Sequence, residues 1–200
     1  MEKTKAPYDV LTVAREIIEY SRVEAQKEQS PYFVNMYKLN TMMYYAQGAF
    51  LGMRETPLFK EEIVAAGWGA KVDSQKLYRR YSKYGSVNIP EAYYTKDSQY
   101  ESTAMADKDK ALLHKVVDLF KDKTNSESLA LIHEGRLYQR VSAYNGIIPT
   151  SWMKEEFENR LTVKTEEEKK LETKTASLEK KPKPVRGIVH KKSSSKEVSR

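Results

Sequence analysis

Apolar residues return every three or four positions in the first part of the chain, and each such run predicts an amphipathic helix. Val10, Val13, Ala14, Ile17, Ile18 and Ser21 share one face, with Asp9 placed to cap it. Leu39, Met42, Met43, Ala46, Ala49, Phe50 and Met53 repeat the pattern behind Asn35, a second cap. A loop with Pro57 follows. The segment EEIVAAGWGAKV is short, β-branched and broken by glycine, so it predicts a small hairpin or an extended excursion. Asp73 or Ser74 starts a third helix, and Gly85 closes it as a C′ glycine. Residues 86–105 read as irregular. Asp107 through Phe120 is a strong amphipathic helix with Leu112, Leu113, Val116, Val117 and Phe120 on its apolar face. Ser126 is placed to cap a short helix over residues 128–133, and another covers about 136–143. NGIIP reads as a turn with an extended stub, and Thr150 or Ser151 as the cap of a last helix over 152–160. No internal repeat is apparent.

The fold class that follows is mainly α: a compact multi-helix domain over residues 8–160 with a small hairpin or extended excursion. Two hundred residues suit one such domain plus an extension. The absence of Cys excludes a disulfide scaffold, Cys-ligated zinc and thiol catalysis. Arg15 and Glu16 interrupt the only apolar stretch near the start, so no signal peptide is expected. No window approaches the ~18 consecutive apolar residues of a membrane span. The expectation is a cytoplasmic protein without membrane contact.

Charge is distributed unevenly. The net of +7 suggests nucleic acid, but residues 161–200 alone hold 12 Lys/Arg against 6 Asp/Glu. That leaves 23 basic and 22 acidic residues in the first 160, a body close to neutral and unlike a uniformly basic DNA-binding domain. The tail has no aromatic residue, and Pro182, Pro184 and Gly187 interrupt helix formation. It reads as disordered, a Lys/Ser-rich extension that either solvates the protein or makes weak contact with nucleic acid or a partner. The segment VRGIVHKK could become ordered on a partner.

Catalytic constellations are missing. Gly67-Trp68-Gly69 lacks the third glycine and the Lys-Ser/Thr pair of a phosphate loop, leaving a hairpin turn as the plainer reading. Gly48 and Gly52 have the spacing of close helix packing. His114, His133 and His190 are not at metal-ligand spacing. His114 reads as helix surface. His133-Glu134 reads as a cap or charge partner, with a catalytic role as the sharper alternative. No nucleophile is paired with a base. The expectation is a non-enzyme with neither cofactor nor metal.

The unusual feature is aromatic. The chain has 14 Tyr, and they cluster, as at Tyr44-Tyr45, Tyr78, Tyr81, Tyr84 and Tyr93-Tyr94. Tyr78, Tyr81 and Tyr84 are spaced by three, in line with one another and beside Arg79, Arg80 and Lys83. They suit a core edge with hydroxyls reaching water, a binding face, or a platform for stacking on nucleic acid.

Several stretches taken together resemble a known family. Lys38-Leu39-Asn40-Thr41-Met42-Met43-Tyr44-Tyr45-Ala46-Gln47-Gly48 is followed by Pro57-Leu58-Phe59 with Glu61 and Glu62. A turn then runs Ala65-Ala66-Gly67-Trp68-Gly69-Ala70-Lys71-Val72, and a helix reads Leu77-Tyr78-Arg79-Arg80-Tyr81-Ser82-Lys83-Tyr84-Gly85. With Glu127–Gly135, these resemble the Panacea domain, the SocA-like antitoxin domain described as phage-associated. The resemblance covers about residues 8–160. It departs from the family at Thr41, Ala66 and Ala70, and at Arg136-Leu137-Tyr138.

The resemblance implies a mostly helical module that neutralises a partner toxin by binding it, the toxin being encoded by the neighbouring gene, often within a mobile element. Residues 38–59 would then hold the central packing helix, with Lys38, Thr41, Tyr44 and Tyr45 setting what it shows outward. Lys38, Tyr44, Tyr45, Trp68, Tyr78 and Arg79 are the expected partner-binding residues. Two other classes stay open. One is a nucleic-acid-associated accessory protein of a phage or mobile element acting through its basic tail. The other is an adaptor delivering a bound protein to a protease.

Overall fold

A computed structural model describes residues 6–90, 105–142 and 146–159, all within one unit of the chain, Met1–Thr162. The basic tail, Tyr93-Tyr94 and His190 lie outside the described residues. The protein is mainly helical with one small antiparallel sheet, as the apolar periodicity predicts. Among the described residues no helix is long and apolar enough to cross a membrane.

Helix α1, Val10–Lys27, starts where Asp9 accepts the Leu11 N–H at 2.9 Å. Its predicted face, from Val10 to Ser21, is buried. Helix α2, Met36–Arg54, is capped by Asn35, whose Oδ1 accepts the Lys38 N–H at 3.0 Å. Here the structure departs from the one-face pattern. Every residue from Lys38 to Tyr44 is buried, because α1, helix α4 (Asp107–Phe120) and strand β2 (Gly69–Val72) close around α2 together. Met53, placed in the core by periodicity, is 53% exposed, because the last turn of α2 is covered on the sides of Leu51 and Gly52 and not on the side of Met53.

Two buried amides on α2 tie distant backbone to it. Gln47 Oε1 accepts the N–H groups of Leu58 and Phe59 at 2.8 and 3.2 Å, and its Nε2 donates to the Phe59 carbonyl at 3.1 Å. Leu58 and Phe59 are thereby seated in the core. The predicted excursion is a hairpin of β1, Ile63–Ala66, and β2, Gly69–Val72, joined at Gly67-Trp68. Gly69 sits at φ +129°, which side chains rarely adopt, and a Cβ there would fall 2.8 Å from Leu129. The stub in NGIIP is β3, Ile147–Ile148, which pairs with the other edge of β1 to give the order β2-β1-β3.

Helix α3, Gln75–Tyr81, is capped by Ser74, not Asp73. It tightens into a 3₁₀ turn over Ser82–Tyr84 before Gly85. The tyrosines do not share one environment: Tyr78 is exposed, Tyr81 is buried, and Tyr84 packs half-buried against the core, the first two parting within the α-helix because a step of three residues falls about 60° short of a full turn. Helix α4, Asp107–Phe120, buries its predicted apolar face.

Helix α5, Asn125–His133, is capped by Thr124 and not by Ser126. Thr124 and Glu127 form a reciprocal capping box, with the Thr124 N–H donating to Glu127 at 2.7 Å and the Glu127 N–H to Thr124 at 3.2 Å. Helix α6 is Arg136–Ser142. The last helix is already formed at residue 150 and is described to 159. The Pro149 carbonyl accepts the N–H groups of Trp152 and Met153, so neither Thr150 nor Ser151 caps it. Gly48 and Gly52 face this helix. A Cβ on Gly48 would lie 2.3 Å from the Phe157 ring, and one on Gly52 would lie 3.1 Å from the Glu158 nitrogen.

Candidate functional site: an aromatic groove beside the hairpin

The first turn of α2, the hairpin tip and the exposed face of α3 surround an open groove of about 770 Å³. Its geometry follows from local rules. The Asn35 cap sets the start of α2 and leaves Tyr37 on the outer side, exposed. Asn40, one turn on, points inward, and its Oδ1 accepts the Val72 N–H at 2.9 Å. That bond holds β2 against α2 and swings the hairpin tip towards Tyr37. The rings of Trp68 and Tyr37 meet edge to face, with centroids 5.1 Å apart and an interplanar angle of 81°. Along β2, Ala70 and Val72 turn inward and Lys71 outward. Ser74 then fixes the start of α3, so that Leu77 and Tyr81 enter the core while Tyr78 and Arg79 face outward.

The groove brings together three of the six residues expected to bind a partner: Trp68, Tyr78 and Arg79. It adds Tyr37 and Lys71, which sequence reasoning missed. Nothing local marks Tyr37, because the residue that makes it part of a rim is Trp68, on a different element.

The other three lie elsewhere, and the expectation that they face outward is overturned. Lys38 is only 1% exposed. Its Nζ donates to the carbonyls of Lys121 and Lys123 at 2.9 and 2.7 Å, closing the C-terminal end of α4. Burial pushes its pKa down to about 8, against the pull of Asp122 and Glu127. Tyr44 is 2% exposed and meets Tyr45 and Phe157 edge to face. Tyr45 is partly buried, donates its hydroxyl to the Leu131 carbonyl at 2.9 Å and packs on Phe120. Thr41 is buried as well. These side chains anchor α2 to α4, α5 and the last helix.

The two described histidines make contacts between elements. His114 is half-buried, not open surface: it stacks on Tyr20 at 3.7 Å and bonds Glu16 at 2.7 Å, joining α1 to α4. Burial, with the hydrogen bond to Asp118, pushes the Tyr20 hydroxyl up to about 12. His133 is exposed at the end of α5 and stacks on Tyr138, whose hydroxyl donates to the Ala66 carbonyl. Among the described residues no three His, Asp or Glu side chains converge as a metal site requires.

Comparison with models of known protein families, with curated proteins and with solved structures finds no match for the chain.

Proposed function

We propose that this protein is an antitoxin-type binding module that neutralises a partner toxin by direct contact in the cytoplasm. The observation that carries the reading is the gathering of Trp68, Tyr78 and Arg79, with Tyr37, around one open groove. Tyr, Trp and Arg are the residues that most often dominate protein interfaces, and Tyr78 is 67% exposed. A large exposed side chain on a well-packed body is available for burial by a partner. The resemblance of residues 8–160 to the Panacea domain supplies the class of partner.

The test is coexpression with the neighbouring gene. The wild-type protein relieves that gene's toxicity, and a variant carrying Trp68→Ala, Tyr78→Ala and Arg79→Ala together does not, although it still melts cooperatively within a few degrees of wild type. Rescue that survives the triple change locates the interface elsewhere. A neighbouring gene that is harmless when expressed alone counts against the antitoxin reading itself.

A further inference from the structure

The groove also carries information about what fits it. Its apolar content is Tyr37, Trp68 and Tyr78 around a floor that includes Val72. Its charged side chains are Lys71, Arg79 and one carboxylate, Asp73. Lys71 and Arg79 make no ion pair among the described residues. The neighbouring Lys76, by contrast, is held by Asp9 at 2.9 Å. Two unpaired cations beside an aromatic cleft leave a local excess of positive charge, on a body whose first 160 residues are close to neutral.

We propose that the groove receives an acidic segment of a partner protein, with one apolar or aromatic side chain seated against Tyr37 and Trp68 and its carboxylates paired with Lys71 and Arg79. The proposal rests on the protein-binding reading above and adds the chemistry of the ligand. An arginine at the rim suits a carboxylate, which it can hold through two parallel hydrogen bonds. The edge-to-face pair leaves both rings partly open to an incoming side chain. The chain's own tail is a poor occupant: residues 161–200 contain no aromatic side chain and carry twice as many basic as acidic residues. A nucleic-acid strand is also disfavoured. Two cations neutralise few phosphates, so a strand gains little from counterion release here.

The experiment selects a phage-displayed random dodecapeptide library on the full-length protein. The consensus peptide is then synthesised, and its binding is measured by fluorescence anisotropy. The expected result is enrichment of peptides that combine Asp or Glu with an aromatic or large aliphatic residue. Their affinity falls at least about ten-fold in the double variant Lys71→Glu, Arg79→Glu and in Trp68→Ala. Selection repeated on the charge-reversed variant yields Lys- or Arg-bearing peptides instead. Enrichment without acidic bias overturns the proposal, as does failure to enrich or binding indifferent to these variants. Tight binding of a twelve-residue oligo-dT that the same variants abolish overturns it in favour of a nucleic-acid groove. Non-acidic peptides, together with toxin rescue that still needs Trp68, Tyr78 and Arg79, would sink the acidic ligand and leave the binding function standing. Rescue indifferent to those three residues would move the toxin interface away from the groove, and a neighbouring gene harmless on its own would sink the antitoxin function itself.

Discussion

Lys38 and Tyr44 lie within two turns of one another on α2, and Arg79 and Tyr78 are adjacent on α3. Each pair joins a cation to a tyrosine, and the two pairs meet opposite fates. Lys38 and Tyr44 are sealed, the first against carbonyls at the end of α4 and the second against aromatic rings. Arg79 and Tyr78 stand open on the groove wall. The difference lies in the number of elements around each helix. Helix α2 is enclosed on most sides, so even its polar side chains must find partners inside. Helix α3 is short and covered on one side only, so the face away from Leu77 and Tyr81 remains available. In this molecule the proposed binding surface is set apart by what fails to cover it, not by residue type.

The strongest way to break the comparison is to truncate both tyrosines. Tyr44→Ala removes a ring packed against Tyr45 and Phe157 and is expected to cost roughly 3–5 kcal/mol, the range for deleting a large buried aromatic. Tyr78→Ala, at an exposed position, is expected to stay within about 0.5 kcal/mol of wild type. Chemical denaturation measures both. Equal midpoints for the two variants would show that Tyr44 is not sealed.

The two cations give the next largest contrast. Lys38→Met leaves the carbonyls of Lys121 and Lys123 without their charged donor and is expected to cost about 1–3 kcal/mol at neutral pH. Arg79→Met is expected to change stability by less than about 0.5 kcal/mol. The buried lysine adds a pH signature. Its folded pKa of about 8 lies below the ordinary lysine value of 10.5. Between these values the unfolded chain binds more protons, so this group's contribution to stability rises with pH through that window. The interval from pH 8 to 10 is the cleaner half, because tyrosines with raised pKa values, such as Tyr20, begin to oppose the trend above pH 10. The stability gap between wild type and Lys38→Met should therefore widen from pH 8 to pH 10, while the gap for Arg79→Met stays flat. Parallel curves for the two variants would mean that Lys38 reaches water freely.

How legible each region was follows from the same contrast. The faces of α1 and α4 were readable because a single stripe of apolar residues meets a single side of the core. The enclosure of α2 was not, because Lys38 finds its carbonyls 83 and 85 residues away and lysine is ordinarily a surface residue. The cap at Thr124 was readable in principle. Thr124 and Glu127 have capping-box spacing, two residues ahead of the cap expected at Ser126. The hairpin showed itself in its glycines, whereas β3 has only two residues and acquires strand character from β1. Trp68, Tyr78 and Arg79 were legible as rim residues by type. Tyr37 and Lys71 became rim residues only when the Asn40–Val72 bond brought β2 onto α2.

The smallest expected effect tests whether the rim is built before a partner arrives. Tyr37 and Trp68 are both partly exposed, and each alone contributes little to the core. Their edge-to-face contact joins the start of α2 to the hairpin tip, and such pairs contribute about 0.5–1.5 kcal/mol beyond area burial. Partial exposure places this pair at the lower end. A double-mutant cycle of Tyr37→Ala and Trp68→Ala, followed by urea denaturation, is expected to give a coupling of about 0.5 kcal/mol. Tyr78→Ala combined with Trp68→Ala should be additive, because no ring contact joins that pair among the described residues. A coupling of that size means the two rings hold one another in place in the free protein, so a ligand meets a prearranged cleft and loses less conformational freedom on binding. Zero coupling between Tyr37 and Trp68 would mean that the rings move independently. The groove would then be shaped by its occupant, and its affinity for a short acidic peptide would be correspondingly lower.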